Sequence, residues 1–198
     1  MIIRKATITD IDSIVKIHID AFQGFFLTSL GPKFLSFYYS CFVRSNETIT
    51  VVAEENGVVY GFAASTKMCK SFNSRLIKNN LLPFCLLSLK LLFNNPTALL
   101  RLIRNLTKKG KGLDDEEDYA ELYSIGVCKD AQGQGVGKEM LLSSEEHMKD
   151  EGITRLSLTT DYYHNEQAIA FYHSMGYKIM YEFIAYPNRK MYRLIKNL

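Results

Sequence analysis

The sequence has no tryptophan, only four prolines and no apolar run long enough to cross a membrane. Residues 1–5 lack the long apolar region of a signal peptide. Charged residues make up 23% of the chain and the net charge is only +3, so no overall charge excess points to nucleic-acid binding. We therefore expect a cytoplasmic protein that binds no nucleic acid.

The cysteines are also few, and none forms a C-x-x-C pair. They lie at Cys41, Cys69, Cys85 and Cys128, a spacing typical of neither a zinc site nor a disulfide framework. We expect reduced thiols and no bound metal. The 198 residues, 47% of them hydrophobic, suit a single globular domain over residues 1–198 that can bury a sizeable core.

A glycine-rich segment is the most informative part of what is present. It reads Gln132-Gly133-Gln134-Gly135-Val136-Gly137-Lys138 and lies between an apolar run at 121–127 and a helical pattern at 138–149. Glycines let the backbone approach a ligand closely, and the first N–H groups of a helix lack partners at its positive end. A strand, a glycine-rich turn and a helix start therefore predict a phosphate or pyrophosphate site.

Two familiar phosphate patterns do not fit this segment. The dinucleotide fingerprint G-x-G-x-x-G fails because Lys138 stands in place of its third glycine. The mononucleotide P-loop fails because Gln132 replaces its first glycine and Glu139 replaces the Ser or Thr that holds magnesium. The pattern that does fit is Q-x-x-G-x-G, formed by Gln132, Gly135 and Gly137.

That pattern resembles the pyrophosphate-binding signature of the GNAT superfamily of N-acetyltransferases. A second segment at 165–177 reads N-x-x-A-x-x-F-Y-x-x-x-G-Y and is similar to the helix that follows the next strand in the same superfamily. Asn165 suits the N-cap of that helix, and Ala168 and Phe171 recur at helical spacing. Together the two segments cover residues 119–177, in the family's order.

The expected fold is α/β, with a central twisted mixed sheet flanked by helices. Asn56-Gly57 between two apolar runs is a strong hairpin signal. The order β-α-α-β-β-β-α-β-α-β-β resembles the GNAT-like acyl-CoA N-acyltransferase fold. Strands are predicted at 2–6, 48–54, 58–65, 119–127, 154–160, 177–185 and 190–195, and helices at 11–22, 32–42, 138–151 and 165–175.

A helical insertion is predicted at about 67–118. No Asp or Glu occurs from 56 to 113, whereas an acidic cluster follows at 114–118. Residues 81–93 are densely apolar, and Pro83 and Pro96 are predicted to divide the insertion into short helices. Three interpretations stay open: a flap packed on the domain with solvated cations, a lid that favours an anionic acceptor, or a helix on an anionic lipid surface.

The resemblance implies transfer of an acetyl group from acetyl-coenzyme A to a primary amine of a small molecule, such as an amino sugar or a nucleotide-linked amino sugar. Acetylation of a protein or peptide, and a non-catalytic acetyl-coenzyme A sensor or interaction module, are the alternatives; a homodimer also stays open. By resemblance, the exposed backbone of Ile125 and Val127 pairs with the pantetheine arm. The pyrophosphate is then held by Gln132, Gly133, Gln134, Gly135, Val136, Gly137 and Lys138.

The same resemblance assigns the remaining site residues. Tyr172 matches the family's general acid, Asn165 can bond the cofactor arm, and Phe171 packs beside it. Glu121 is the candidate general base, because strict alternation puts it on the strand face shared by Tyr123, Ile125 and Val127. An ion-pairing role is the alternative for Glu121. Asp161 is a second candidate base, and His164 lies near it.

Overall fold

The computed structural model describes residues 1–94, 96–97, 100 and 115–198. Its centre is a seven-stranded sheet of order β1-β2-β3-β4-β5-β7-β6, in which β4 and β5 are parallel and all other neighbours are antiparallel. The strands are β1 Ile2–Lys5, β2 Thr48–Glu55, β3 Val58–Thr66, β4 Ala120–Val127, β5 Arg155–Asp161, β6 Lys178–Ala185 and β7 Arg189–Asn197. The predicted mixed sheet is confirmed.

Helices cover both faces of this sheet, as predicted. They are α1 Ile11–Ala21, α2 Phe26–Ser29, α3 Pro32–Arg44, α4 Phe72–Asn79, α5 Leu81–Asn94, α6 Val136–Asp150 and α7 Glu166–Ser174. Among the described helices, none has both the length and the apolar character needed to cross a membrane. The predicted hairpin is confirmed, since Asn56 and Gly57 join β2 to β3 with φ of 52° and 79°.

The strands at the centre of the sheet are buried on both sides. On β2, Val51 and Ala53 face one side and Val52 faces the other, because successive side chains alternate along a strand. We call these sides the α6 face and the α1/α3 face. The α6 face packs Met140, Leu141 and Met148 onto the sheet. The α1/α3 face packs Ile14, Leu35, Tyr39, Phe42 and Phe62. A sheet covered in this way can expose a site only where its strands separate.

The insertion is helical at Phe72–Asn79 and Leu81–Asn94 and non-helical at 67–71 and 115–118, and the break between its helices differs from the prediction. The chain bends at Asn80, whose Nδ2 donates to the Leu76 carbonyl over 2.9 Å. Pro83 does not divide the helices. It lies in the first turn of α5, where a missing N–H costs no hydrogen bond. Residues 95, 98–99 and 101–114, including Asp114 of the acidic cluster, lie outside the described residues.

Candidate active site

Strands β4 and β5 separate partway along their length. They pair from Ala120 with Leu156 to Leu122 with Leu158 and no further. Beyond that point β4 stays paired with β3 as far as Val127, and β5 stays paired with β7 as far as Asp161. The result is a wedge-shaped opening between two adjacent strands, which we call the splay.

A β-bulge lies on β4 where the splay begins. Ala64 of β3 is opposite Ser124, but its neighbour Ser65 is opposite Leu122, so Tyr123 is an extra residue on β4. A bulge reverses the side-chain alternation. Tyr123 packs on the α1/α3 face, whereas Leu122 and Ile125 both pack on the α6 face.

Because of the bulge, the Glu121 side chain does not lie on the predicted face of β4. Regular alternation would place its side chain on the same face as Ile125 and Val127, but these two residues pack on the α6 face. Glu121 precedes the bulge and shares the α1/α3 face with Tyr123. The shared-face prediction was wrong because it assumed an unbroken strand. The bulge has no clear local sequence signal.

Backbone groups of β4 face the splay. The N–H of Cys128 donates to the Tyr60 carbonyl of β3 over 2.8 Å. Since backbone groups alternate sides along a strand, those of Ile125 and Val127 point away from β3 and into the splay. The Val127 carbonyl accepts a hydrogen bond from Gln132 Nε2 at 3.1 Å. The splay therefore presents a strand edge to which an extended ligand arm can bond.

The glycine-rich loop follows directly and holds a row of free donors. The N–H of Gln132 donates to Lys129, and that of Glu139 donates to the Gly135 carbonyl over 3.1 Å. Between them, the N–H groups of residues 133–138 donate to no acceptor in the described chain. Gly133 and Gly135 have φ of 75° and 82°, a conformation that L side chains rarely adopt. Six consecutive free donors at the positive end of α6 suit a pyrophosphate.

The loop, β4 and α7 converge at Gly137. A Cβ added there would lie 3.8 Å from Val127 Cγ2 and 4.0 Å from Phe171 Cζ. Phe171 thus packs where the strand edge meets the loop, and Lys138 in the first turn of α6 is exposed. The structure brings the residues predicted for the pantetheine arm and those predicted for the pyrophosphate into one continuous surface.

Tyr172 lies on α7, next to this surface. Its ring centroid is 5.2 Å from that of Phe171 and 5.9 Å from that of Tyr177. Burial raises the pKa of Tyr172 to about 12. At neutral pH the phenol therefore keeps its proton, which is the protonation state that a general acid needs.

Asn165 does not cap α7 with its side chain as predicted. Its backbone lies at φ −136° and ψ 26°, outside the extended region typical of an N-cap, and its side chain makes no capping hydrogen bond. Its Nδ2 instead donates to the Thr160 hydroxyl and to the Asp161 carbonyl, the latter over 3.3 Å. Asn165 therefore ties the start of α7 to the end of β5.

The carboxylate of Glu121 is buried, and each of its oxygens has one partner. Arg193 Nη1 lies 2.7 Å from its Oε1, and Cys69 Sγ donates to its Oε2 over 2.8 Å. Burial and the adjacent Glu121 raise the pKa of the Cys69 thiol, so this thiol stays protonated. The ion pair is the alternative that the sequence left open for Glu121. Asp161 pairs with Arg189, and His164 is exposed.

Aromatic residues bridge the splay on its α1/α3 face. A Cβ added to Gly126 of β4 would lie 3.5 Å from the Phe22 ring, and the Phe22 and Phe25 centroids are 5.5 Å apart. The guanidinium of Arg189 lies 4.8 Å from the Phe25 ring centroid and pairs with Asp161 of β5. We call Phe22, Phe25 and Arg189 the aromatic bridge. Arg189 was not among the predicted site residues, because no motif links it to Phe25.

A second buried pair, also missed, lies beneath the bridge. The hydroxyl of Tyr39 and His18 Nδ1 share a hydrogen bond of 2.6 Å, and His18 Nε2 is buried without a partner among the described residues. Burial lowers the pKa of His18 to about 4, so the ring is neutral at pH 7. This pair joins α1 to α3, and both rings pack against Phe62 of β3.

Comparison with known proteins gives consistent matches. A family model described as "Acetyltransferase (GNAT) family" matches residues 11–177. The mycothiol acetyltransferase of Thermobifida fusca is 36% identical over 70 residues, which are 35% of this chain and 21% of that protein. That of Nocardiopsis dassonvillei is 37% identical over 68 residues, 34% of this chain and 20% of that protein. The chain thus matches about a fifth of the length of these relatives.

Solved structures share the fold at low sequence identity. A ribosomal-protein-alanine N-acetyltransferase from Brucella melitensis superposes with a TM-score of 0.65 at 16% identity, covering 100% of both chains. The PaiA N-acetyltransferase of Thermoplasma acidophilum, in complex with coenzyme A, has a TM-score of 0.59 at 14% identity, covering 100% of this chain and 98% of that one. At these identities the likeness establishes the fold.

Proposed function

The chain belongs to the GNAT family of acetyltransferases, and we propose that residues 1–198 form one catalytic domain that moves the acetyl group of acetyl-coenzyme A to the primary amine of a small molecule. One observation carries this proposal. The open edge of β4 leads, through the short turn Lys129–Ala131, to six N–H groups that have no acceptor among the described residues, so a long ligand with a pyrophosphate at one end fits along it.

Binding of the co-substrate follows from that edge. The N–H groups of residues 133–138 bind the pyrophosphate, and Lys138 adds a positive charge at the rim. The backbone of Ile125 and Val127 pairs with the pantetheine arm and directs one N–H at the thioester carbonyl. A donor fixed in this way stabilises the oxyanion that develops as the amine attacks. Phe171 closes the apolar side of the arm, and Asn165 holds α7 in place.

The proton transfers are assigned to two side chains. The amine attacks the carbonyl carbon, a C–N bond forms and the C–S bond breaks. Tyr172 gives its phenolic proton to the leaving sulfur, so coenzyme A departs as a thiol. Glu121 takes the proton from the amine, directly or through water, because an alkyl ammonium cannot attack. Its position on the α1/α3 face, opposite the face that packs on α6, favours approach of the acceptor from that side.

The aromatic bridge supports a small acceptor. Phe22 and Phe25 cross the splay on the side from which the amine would approach, and the ion pair between Arg189 and Asp161 closes one end. A peptide would need a groove that continues past this point. The relatives named mycothiol acetyltransferase are consistent with such an acceptor. We therefore favour an amino sugar or a nucleotide-linked amino sugar over a protein N-terminus.

The test is the release of coenzyme A thiol from acetyl-coenzyme A across a panel of amines. The panel contains nucleotide-linked amino sugars, free amino sugars, polyamines, aminoglycosides, amino acids and short peptides. We expect acceptor-dependent release with an amino sugar and none with peptides. Release with peptides alone would assign protein acetylation instead. Binding of acetyl-coenzyme A without release for any amine would support the sensor function and refute the proposal.

A single substitution tests the role of Tyr172. Tyr172→Phe removes the proton donor but keeps the ring, so kcat should fall at least tenfold while the Kd for acetyl-coenzyme A is unchanged. Tyr163→Phe is the matched control, because Tyr163 is exposed in the same region and has no assigned role. Equal kcat for the two variants would remove Tyr172 from the mechanism.

A further inference from the structure

The outer surface of α5 carries an apolar stripe that has no partner in the part of the chain that the structure describes. Four side chains recur at intervals of four, three and four residues, which places them in one line along a helix. They are Leu82, Leu86, Leu89 and Phe93, and they are 71%, 61%, 55% and 79% exposed. The opposite side of α5 packs Phe84 and Leu87 against Leu30 and Phe34. The stripe is therefore a second apolar face of a helix whose first face is already buried.

Such a stripe is unusual on a water-exposed helix. Contiguous exposed apolar patches mark surfaces that contact a partner or a membrane. With 14 residues, α5 is about 21 Å long, and the hydrocarbon core of a bilayer is about 30 Å thick. A helix of this length can lie along a membrane surface but cannot cross it.

The charge of the surrounding sequence indicates which partner would cover the stripe. No acidic residue occurs between 56 and 113, and Lys90 lies on α5 itself. Lys70 and Lys78, just before α5, are exposed. A second copy of the chain packed on the stripe would bring these cations together and repel. An anionic lipid surface would attract them, at a gain of about fivefold in binding for each cation near the headgroups.

We propose that the apolar stripe of α5 docks on an anionic membrane surface. The helix lies parallel to the membrane plane, with Leu82, Leu86, Leu89 and Phe93 inserted below the headgroups and the neighbouring lysines in contact with lipid phosphates. Because α5 packs on Leu30 and Phe34, this docking holds the α2–α3 side of the domain against the lipid.

Flotation of the full chain with lipid vesicles tests the proposal. Vesicles of phosphatidylcholine with 30% phosphatidylglycerol are compared with vesicles of phosphatidylcholine alone. We expect the protein to float with the anionic vesicles and not with the zwitterionic ones. Raising the salt from 0.1 M to 1 M should weaken binding, since the screening length falls from about 10 Å to about 3 Å. Equal flotation with both compositions, or with neither, would overturn the proposal.

A native cysteine reports the depth of insertion. Cys85 is exposed on α5, Cys41 and Cys69 are buried, and Cys128 is half-buried. In a Cys128→Ser background, an environment-sensitive fluorophore such as NBD is attached to Cys85. A blue shift and a rise of emission on addition of anionic vesicles is expected. An unchanged spectrum under conditions where the protein floats would show that another surface binds, and would refute the assignment to α5.

Substitutions on the stripe separate docking from general surface effects. Leu86→Gln and Phe93→Gln should each lower the partition coefficient about fivefold and together about twenty-five-fold, because each removes about one inserted apolar side chain. Ile2→Gln is the matched control, since Ile2 is 60% exposed on the edge strand β1, and its binding should equal that of the wild type. Light scattering completes the test: a dimer that Leu86→Gln dissociates would assign the stripe to a second copy and overturn the proposal.

Discussion

The buried His18 makes the stability of the protein depend on pH in a calculable way. The residue is 3% exposed, and burial lowers its pKa from 6.5 to about 4. Between these values the unfolded chain binds a proton at this site that the folded chain does not, so stability falls as the pH falls. Above pH 6.5 the ring is neutral in both states and contributes no slope. At about 1.36 kcal/mol per pKa unit, the loss reaches about 3 kcal/mol at pH 4.

Urea unfolding followed by far-ultraviolet circular dichroism, at pH values from 7.5 to 4, measures this slope. His18→Asn retains a hydrogen-bond partner for the Tyr39 hydroxyl but does not titrate. Between pH 7 and pH 4 its free energy of unfolding should therefore fall by about 3 kcal/mol less than that of the wild type. His164→Asn is the control, because His164 is exposed at φ 56°, a conformation that Asn tolerates. Parallel pH profiles for the wild type and His18→Asn would refute a buried neutral His18.

Local patterns predicted the features that short-range physics determines. Asn56-Gly57 favours two successive positive φ angles, and the hairpin forms there. Gly133 and Gly135 adopt the positive φ that a glycine-rich turn permits, and the turn opens α6 as predicted. In each case the residue type itself limits the backbone, so a few neighbouring residues were enough to identify the element.

The parts of the site that were missed depend on contacts between distant segments. An ion pair of Glu121 was left open, but its partner Arg193 lies 72 positions away, and no spacing rule connects the two residues. The bulge at Tyr123 arises where β4 leaves β5, and alternation alone gave the wrong face for Glu121. The contact of Arg189 with Phe25 likewise joins the start of β7 to the loop before α2. Such features follow from the packed sheet, which no local pattern describes.

The remaining predictions concern the loop and the buried carboxylate. Gly135→Ala strains a residue at φ 82°, so it should cost about 1 kcal/mol of stability and raise the Kd for acetyl-coenzyme A measured by calorimetry. Gly152→Ala is the control, because Gly152 has φ 74° but lies beyond the other end of α6. It should cost as much stability and leave that Kd unchanged. Arg193→Met should destabilise the fold by about 3–5 kcal/mol in urea unfolding, since it leaves Glu121 buried without its cation, and the double variant Glu121→Gln/Arg193→Met should recover most of that loss. The pH dependence of kcat/KM in Glu121→Gln distinguishes a general base from a residue that only pairs with Arg193. An acceptor amine loses its proton unaided as the pH approaches about 10, so a missing base is replaced by solvent there, and the deficit of Glu121→Gln should shrink as the pH rises. A residue that only holds Arg193 in place would leave a deficit of the same size at every pH, and that result would refute the assignment of Glu121 as the base.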